Sequence, residues 1–313
     1  MPAWSARGCA RALALVLLAL AGCASLPPPQ DSAAPPAMEL AAVPFFPQED
    51  YQCGPAALAT LLQAAGIART PQDLVDHVYL PQRQGSLQPE LLGASRRAGA
   101  LPYVLRSAPE DLLREVAAGH PVLVLQDVGW PLVPRWHYAV VVGYDVGART
   151  LTLRSGTVRR MVMAFDAFDR SWAKGGRWAF VALPPDRLPA TAREADFVAA
   201  AAALERVAPT AAARAYAEAL RAWPGNLFAR MALGNAAYRE RRLESATSHF
   251  RQAATDHPQS GDAWNNLAQA LFEQGHTLEA AEAARRAVAL GGPRLALYSE
   301  TLRAIDAQGS GVH

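Results

Sequence analysis

From residue 40 to about 185 the chain alternates short apolar runs with turn residues. Ala56 to Ala65 is almost continuously apolar, preceded by Gly54-Pro55 and followed by Gly66. Proline fits a first helical turn, where its missing N–H needs no partner, and glycine readily ends a helix, so this run predicts one. Pro71 to Val78, Pro89 to Ala98 and Pro109 to Ala118 predict three more helices, the last two closed by Gly99 and Gly119. Strand patterns follow. They are Pro121 to Leu125, Tyr138 to Val142 ended by Gly143, Thr150 to Leu153 after a hairpin loop at Asp145 to Arg149, and Trp178 to Leu183. Arg159, Arg160 and Arg170 around Phe165 and Phe168 suggest a solvated turn with core anchors. Trp172, Gly175, Gly176 and Trp178 suggest an edge hairpin. Helices first and mostly sequential strands next predict an α+β domain over 40–185, with a helical layer against an antiparallel sheet.

Pro184, Pro185 and Pro189 mark a boundary. Over 190–308 the chain changes to Ala, Arg, Glu and Leu at helical spacing, and a period of 34 residues emerges. The copy at 227–260 carries Leu233, Gly234, Ala246, Phe250, Ala253 and Pro258. The copy at 261–294 carries Trp264, Leu267, Ala268, Gly275, Ala280, Ala284 and Ala287. Small residues where two helices cross, large ones filling between them and Pro at the turn resemble the tetratricopeptide pattern. A degenerate copy fits 193–226, with Ala200, Ala212, Tyr216, Ala219 and Pro224 in phase, and Arg294 to Ile305 reads as a closing helix. The resemblance implies an all-α repeat domain, either a surface that docks a protein partner, the favoured reading, or a helical brace.

The first residues are not part of the fold. Arg7 and Arg11 precede the apolar run Ala12 to Leu20, which is too short for a membrane span and has the form of an export signal. Leu20-Ala21-Gly22-Cys23 resembles the lipobox of bacterial lipoproteins. That resemblance implies a signal peptide at 1–22, cleavage before Cys23 and acylation of Cys23. Residues 23–39 are then a lipidated linker, rich in Pro and Ser. The expected place is the outer membrane, held by the lipid, with the domains in the periplasm.

Composition narrows the chemistry. Of 313 residues, 51% are hydrophobic and 19% charged, which suits a folded core. Loss of Arg7 and Arg11 with the leader brings the 30 basic side chains to parity with the 28 acidic ones. No basic block stands out, so no nucleic-acid partner is expected. No metal-ligand cluster or phosphate loop is visible, so no cofactor is expected. The chain has three cysteines and no Cys-x-x-Cys. Cys9 leaves with the signal and Cys23 is consumed by lipid. Cys53 then remains as a lone thiol in an oxidising compartment, a liability unless it is buried or used.

Attack on an amide carbonyl needs a sulfur nucleophile, a base and donors for the oxyanion. Cys53 sits just before a predicted helix, where orphan N–H groups and the helix dipole favour a thiolate. Gly54 keeps bulk away from the sulfur. His137 opens the strand Tyr138 to Val142 and is the expected base. The segments Asp50-Tyr51-Gln52-Cys53-Gly54-Pro55-Ala56 and His137-Tyr138-Ala139-Val140-Val141-Val142-Gly143 resemble the papain-like cysteine peptidases that remove double-glycine leaders from bacteriocin precursors. The closer resemblance is to their stand-alone branch. It covers residues 40 to 185 and implies a papain-like fold, Cys53 as nucleophile, His137 as general base and Gln48 in the oxyanion hole. Gln48 lies five residues before the cysteine, where the transporter-linked peptidases usually have six.

The family's third member is an Asp in an Asp-Pro pair, and Ser155-Gly156 occupies that position here. Ser155 orients the imidazole weakly, a backbone carbonyl does so, or the triad is dead. Asp145 lies eight residues past His137, ~26 Å along a straight strand. Asp166 and Asp169 could approach only by folding back.

The expected activity is therefore a thiol peptidase acting through a Cys53 acyl-enzyme on a periplasmic peptide or protein. The alternative is a catalytically weak or inactive adaptor lipoprotein that uses the cleft and the repeats to bind peptides. Amidase or transglutaminase chemistry would use the same acyl-enzyme. The Pro-rich loop Trp130 to Trp136 is a candidate wall of the cleft.

Overall fold

Prolines and glycines set the boundaries of the first helices. The computed structural model describes residues 35–48, 52–130 and 132–309. The signal, Cys23 and most of the linker lie outside them. Helix α1 (Cys53–Ala64) is buried from Gly54 to Leu62. A helix apolar on every side belongs inside a fold rather than on its surface. Helix α2 (Pro71–Val78) starts with a capping box, Thr70 accepting from the Asp73 N–H while the Asp73 carboxylate accepts from the Thr70 N–H. Helices α3 (Gln88–Arg97) and α4 (Pro109–Ala117) also carry Pro in the first turn.

Seven strands form one sheet. They are β1 (Ala37–Glu39), β2 (Leu101–Val104), β3 (Val122–Asp127), β4 (Trp136–Asp145), β5 (Thr150–Ser155), β6 (Val158–Ala164) and β7 (Ala179–Leu183). The order is β2-β7-β3-β4-β5-β6, all antiparallel, with β1 pairing the far end of β4. Val140, Val142, Leu123 and Phe180 pack with Leu58 and Leu62 of α1 on one face. Val124, Val141, Leu153 and Val181 pack with Phe168 and Trp172 on the other. Burial on both faces explains why β3, β4 and β7 read as unbroken apolar runs.

Two expectations are corrected here. The expected turn around Arg159 and Arg160 is the edge strand β6, and the expected hairpin around Trp172 is helix α5 (Phe165–Lys174). Phe165, Phe168 and Trp172 are buried at helical spacing, and the Trp172 indole donates to Trp178 O at 3.0 Å.

Seven helices follow: α6 (Glu194–Ala202), α7 (Pro209–Ala222), α8 (Leu227–Arg239), α9 (Leu243–Asp256), α10 (Gly261–Glu273), α11 (Thr277–Leu290) and α12 (Leu295–Gly309). The small positions are required by contact. A Cβ at Gly234 would stand 2.4 Å from the Phe250 ring, so α8 and α9 cross there only without a side chain. Phe197, Ala201, Tyr216 and Ala219 join the same core as Leu101, Tyr103 and Val181 of the sheet. The repeats and the α+β unit therefore share buried surface. The architecture is a papain-like α+β domain with an antiparallel sheet, followed by an all-α repeat domain.

Candidate active site

Cys53 is the first residue of α1 and lies at one end of the sheet. No side chain caps this helix, so its first N–H groups are open to another acceptor. Gly54 is fixed by a close approach: a Cβ there would stand 2.2 Å from Ser86 Oγ and 2.6 Å from Ser86 Cβ. Ser86 in turn accepts from the Tyr138 hydroxyl through its carbonyl, at 3.2 Å. Gly54→Ala is therefore expected to destabilise the fold by about 1–3 kcal/mol through overpacking and to lower any Cys53-dependent activity. A denaturant midpoint equal to that of the wild type would show that Ser86 moves freely.

His137 is the second residue of β4, opposite Gln126 of β3. Its Nε2 meets Ser155 Oγ, at the end of β5, at 2.9 Å. That leaves Nδ1 for another partner. Gln48 is tied to the same strand end, its N–H donating to Gly156 O at 3.2 Å and its side-chain amide to Tyr138 O at 3.4 Å. Gln48, Cys53, His137 and Tyr138 line one cleft of ≈ 910 Å³, together with the 83–88 segment and Pro134 to Trp136. Ser155 stands behind the imidazole, largely buried. The structure thus gathers Gln48, Cys53, His137 and Ser155 at one end of the sheet.

The distant carboxylates are engaged elsewhere. Asp145 accepts the Ala148 N–H at 2.8 Å, Asp166 pairs with Arg149 at 3.0 Å, and Asp169 pairs with Arg177 at 2.8 Å.

The electrostatics differ from the thiolate expected at a helix start. Burial pushes the Cys53 thiol above its ordinary range, while the N–H groups of Tyr138, Gly54 and Cys53 itself, and the Arg135 guanidinium, pull it down. Burial, assisted by Arg135, lowers His137 to about 4. Desolvation outweighs the helix terminus, so both shifts favour the uncharged thiol and the uncharged imidazole.

Sequence reasoning missed Asp127. Its Oδ1 accepts from the Gly129 N–H at 2.9 Å and the Arg135 N–H at 2.8 Å, and its Oδ2 from Lys174 at 3.1 Å. It therefore clamps both ends of the loop that leads into His137. The signal available was an acid directly after an apolar strand and before Gly129, matched by the chain's single lysine. The loop's Pro134 to Trp136 reach the cleft, while Trp130 and Leu132 stand out in solvent at 81% and 94% exposure. Among the described residues no group of three or more His, Cys, Asp or Glu could hold a metal ion.

Cys53 and His137 thus line one cleft of a papain-like helix-on-sheet fold. Residues 40–179 match the Peptidase_C39 like family and residues 231–294 match the Tetratricopeptide repeat family. The chain thus joins a C39-like peptidase domain to a tetratricopeptide repeat domain. No curated protein matches the chain. Among solved structures it is similar to one described as a C39-like peptidase from Bacillus anthracis, at 18% identity and TM-score 0.41 over 47% of this chain and 97% of that one. It is also similar to the double glycine motif protease of an AMS/PCAT transporter in complex with the leader peptide (22% identity, TM-score 0.37, 46% and 93% covered). A third is the peptidase domain of Streptococcus ComA, a bifunctional ABC transporter (20% identity, TM-score 0.37, 45% and 98% covered).

Proposed function

We propose that the chain is a thiol peptidase that hydrolyses a peptide bond through a Cys53 acyl-enzyme. The observation that carries this reading is the 2.9 Å contact between His137 Nε2 and Ser155 Oγ, on a cleft that Cys53 and Gln48 also line. With Nε2–H donating to Ser155, Nδ1 is the nitrogen free to accept the thiol proton. Proton transfer to His137 accompanies attack by Sγ on the peptide carbonyl carbon, because the resting pair is neutral. The Cys53 N–H and the second hydrogen of the Gln48 amide hold the oxyanion. Collapse breaks the C–N bond, and the imidazolium gives its proton to the leaving amine. His137 then takes a proton from water, whose oxygen attacks the thioester, and Sγ leaves with that proton to restore the thiol.

The substrate is a peptide or protein, and the repeats recruit a protein partner. The Leu20 to Cys23 sequence supports export, lipidation at Cys23 and residence at the outer membrane, facing the periplasm. No helix of the described residues is long and apolar enough to cross a membrane.

Alkylation tests the site directly. A raised thiol pKa predicts that iodoacetamide labels Cys53 slowly at pH 7, with a rate that climbs as pH rises through the thiol's upward-shifted pKa. His137 accepts a proton only when neutral, so peptide hydrolysis should fall as pH drops through about 4. Fast labelling that stays constant from pH 5 to 8 would instead show a preformed thiolate–imidazolium pair and overturn the neutral mechanism.

A second reading has a specific observation behind it. A serine hydroxyl backs His137 where a carboxylate would stabilise the imidazolium. A low-turnover, peptide-holding adaptor follows if Cys53→Ser retains peptide binding and the wild type releases no product.

A further inference from the structure

The charge lining the cleft is one-sided. Arg83, Arg135 and Lys174 line it, and no Asp or Glu of the described residues does. Lys174 is neutralised by Asp127 at 3.1 Å. Arg83 and Arg135 make no ion pair among the described residues. They also come from separate segments of the chain. Arg83 ends the turn Pro81–Arg83, whose continuation packs Ser86 over Gly54 beside the nucleophile. Arg135 directly precedes β4, with its N–H fixed by Asp127, one residue from Trp136 and two from His137. Both residues are exposed, so among the described residues neither has a pair to break before taking a ligand.

We infer that the cleft selects an acidic peptide, with Asp or Glu side chains on either side of the scissile bond pairing with Arg83 and Arg135. Arginine suits this task because its planar fork binds a carboxylate through two parallel N–H bonds. The bound peptide also covers the mouth and displaces water, which strengthens both pairs. A substrate carboxylate on Arg135 has a further effect. It cancels a positive charge that disfavours protonation of His137, and so eases the proton transfer that opens the reaction. This inference rests on the peptidase reading for the word scissile, but charge selection by the cleft does not depend on cleavage.

The test uses the full chain and pools of quenched fluorogenic decapeptides in which one position at a time is fixed as Glu, Gln or Lys. The wild type should prefer Glu over Lys by about tenfold or more in kcat/KM at one or more positions, and by less at 0.5 M salt. Arg135→Glu, a change at an exposed side chain, should reverse the preference toward Lys, and Arg83→Glu should do so at a different position. The double variant E49Q/D50N removes the two acids between Gln48 and Cys53 in sequence and should keep the sign of the preference, a lost or reversed preference there overturning the inference. If the wild type cleaves no pool, the peptidase reading fails. Fluorescence anisotropy of Glu-fixed and Lys-fixed pools on Cys53→Ala then decides the inference alone. Equal treatment of Glu and Lys, or a Glu preference that survives both charge reversals, overturns it.

Discussion

Cys53→Ala is expected to abolish peptide hydrolysis, a loss of roughly 10⁴-fold or more, with the fold intact. In the proposed mechanism the thiol forms the acyl intermediate, and a methyl group in its place neither adds volume nor leaves a buried charge. His137→Ala should cost nearly as much. In the proposed mechanism the two side chains act as a unit, so the double variant should be little worse than either single one. Steady-state turnover of any cleaved pool, with a thermal melt to establish folding, measures both. Turnover in Cys53→Ala within tenfold of the wild type would remove the nucleophile from the account. Ser155→Ala should fall between these extremes, since it removes the partner of Nε2 but neither reacting group.

Glu115→Ala carries the largest expected effect on stability. The Glu115 carboxylate is fully buried in α4 and accepts from the Thr191 N–H at 2.8 Å, the Thr191 hydroxyl at 2.6 Å and the Ala190 N–H at 3.2 Å. His120 Nδ1 lies 2.7 Å away. Alanine leaves these buried groups without an acceptor, at a cost of about 3–5 kcal/mol. The segment so anchored, Ala190-Thr191, joins the sheet domain to the repeats. Tyr103 reinforces it, its hydroxyl donating to Thr191 O at 3.3 Å and accepting the Arg193 N–H at 3.2 Å. Because the first repeat helices share a core with the sheet, a lower denaturant midpoint should appear for the sheet and these helices together. Two separated transitions, or an unchanged midpoint, would show that the joint is not held this way. Glu115→Gln should recover part of the loss, since its amide oxygen still accepts while its NH₂ opposes a donor.

The helices of the first domain were legible because proline and glycine punctuate them. The central strands were legible because burial on both faces leaves no polar alternation. Strand β6 was not, since it is an exposed edge whose Arg159 and Arg160 carry no apolar pattern. Helix α5 was hidden because Phe165, Phe168 and Trp172 read equally well as anchors of a turn. The insertion of β7 between β2 and β3 joins segments some 75 residues apart and follows from no local pattern. At the site, Cys53, His137 and Gln48 were legible by resemblance to the family's motifs, and Ser155 by its standing at the family's Asp-Pro position. Asp127 escaped notice because its work, accepting two backbone N–H groups across a loop, is visible only once the loop closes.

The sequence by itself determined the chemical parts: a cysteine at a helix start, a histidine at a strand start, and a 34-residue period of stacked helices. These are local properties, written in residue type and spacing. The tertiary structure alone decided how the parts behave. It set Ser155 against the imidazole, brought Arg83 and Arg135 from separate segments to one cleft, and shifted the Cys53 thiol upward through burial, against the pull of the helix start. Protonation depends on the solvent and charge around a group, and those are supplied by chain segments far away in sequence.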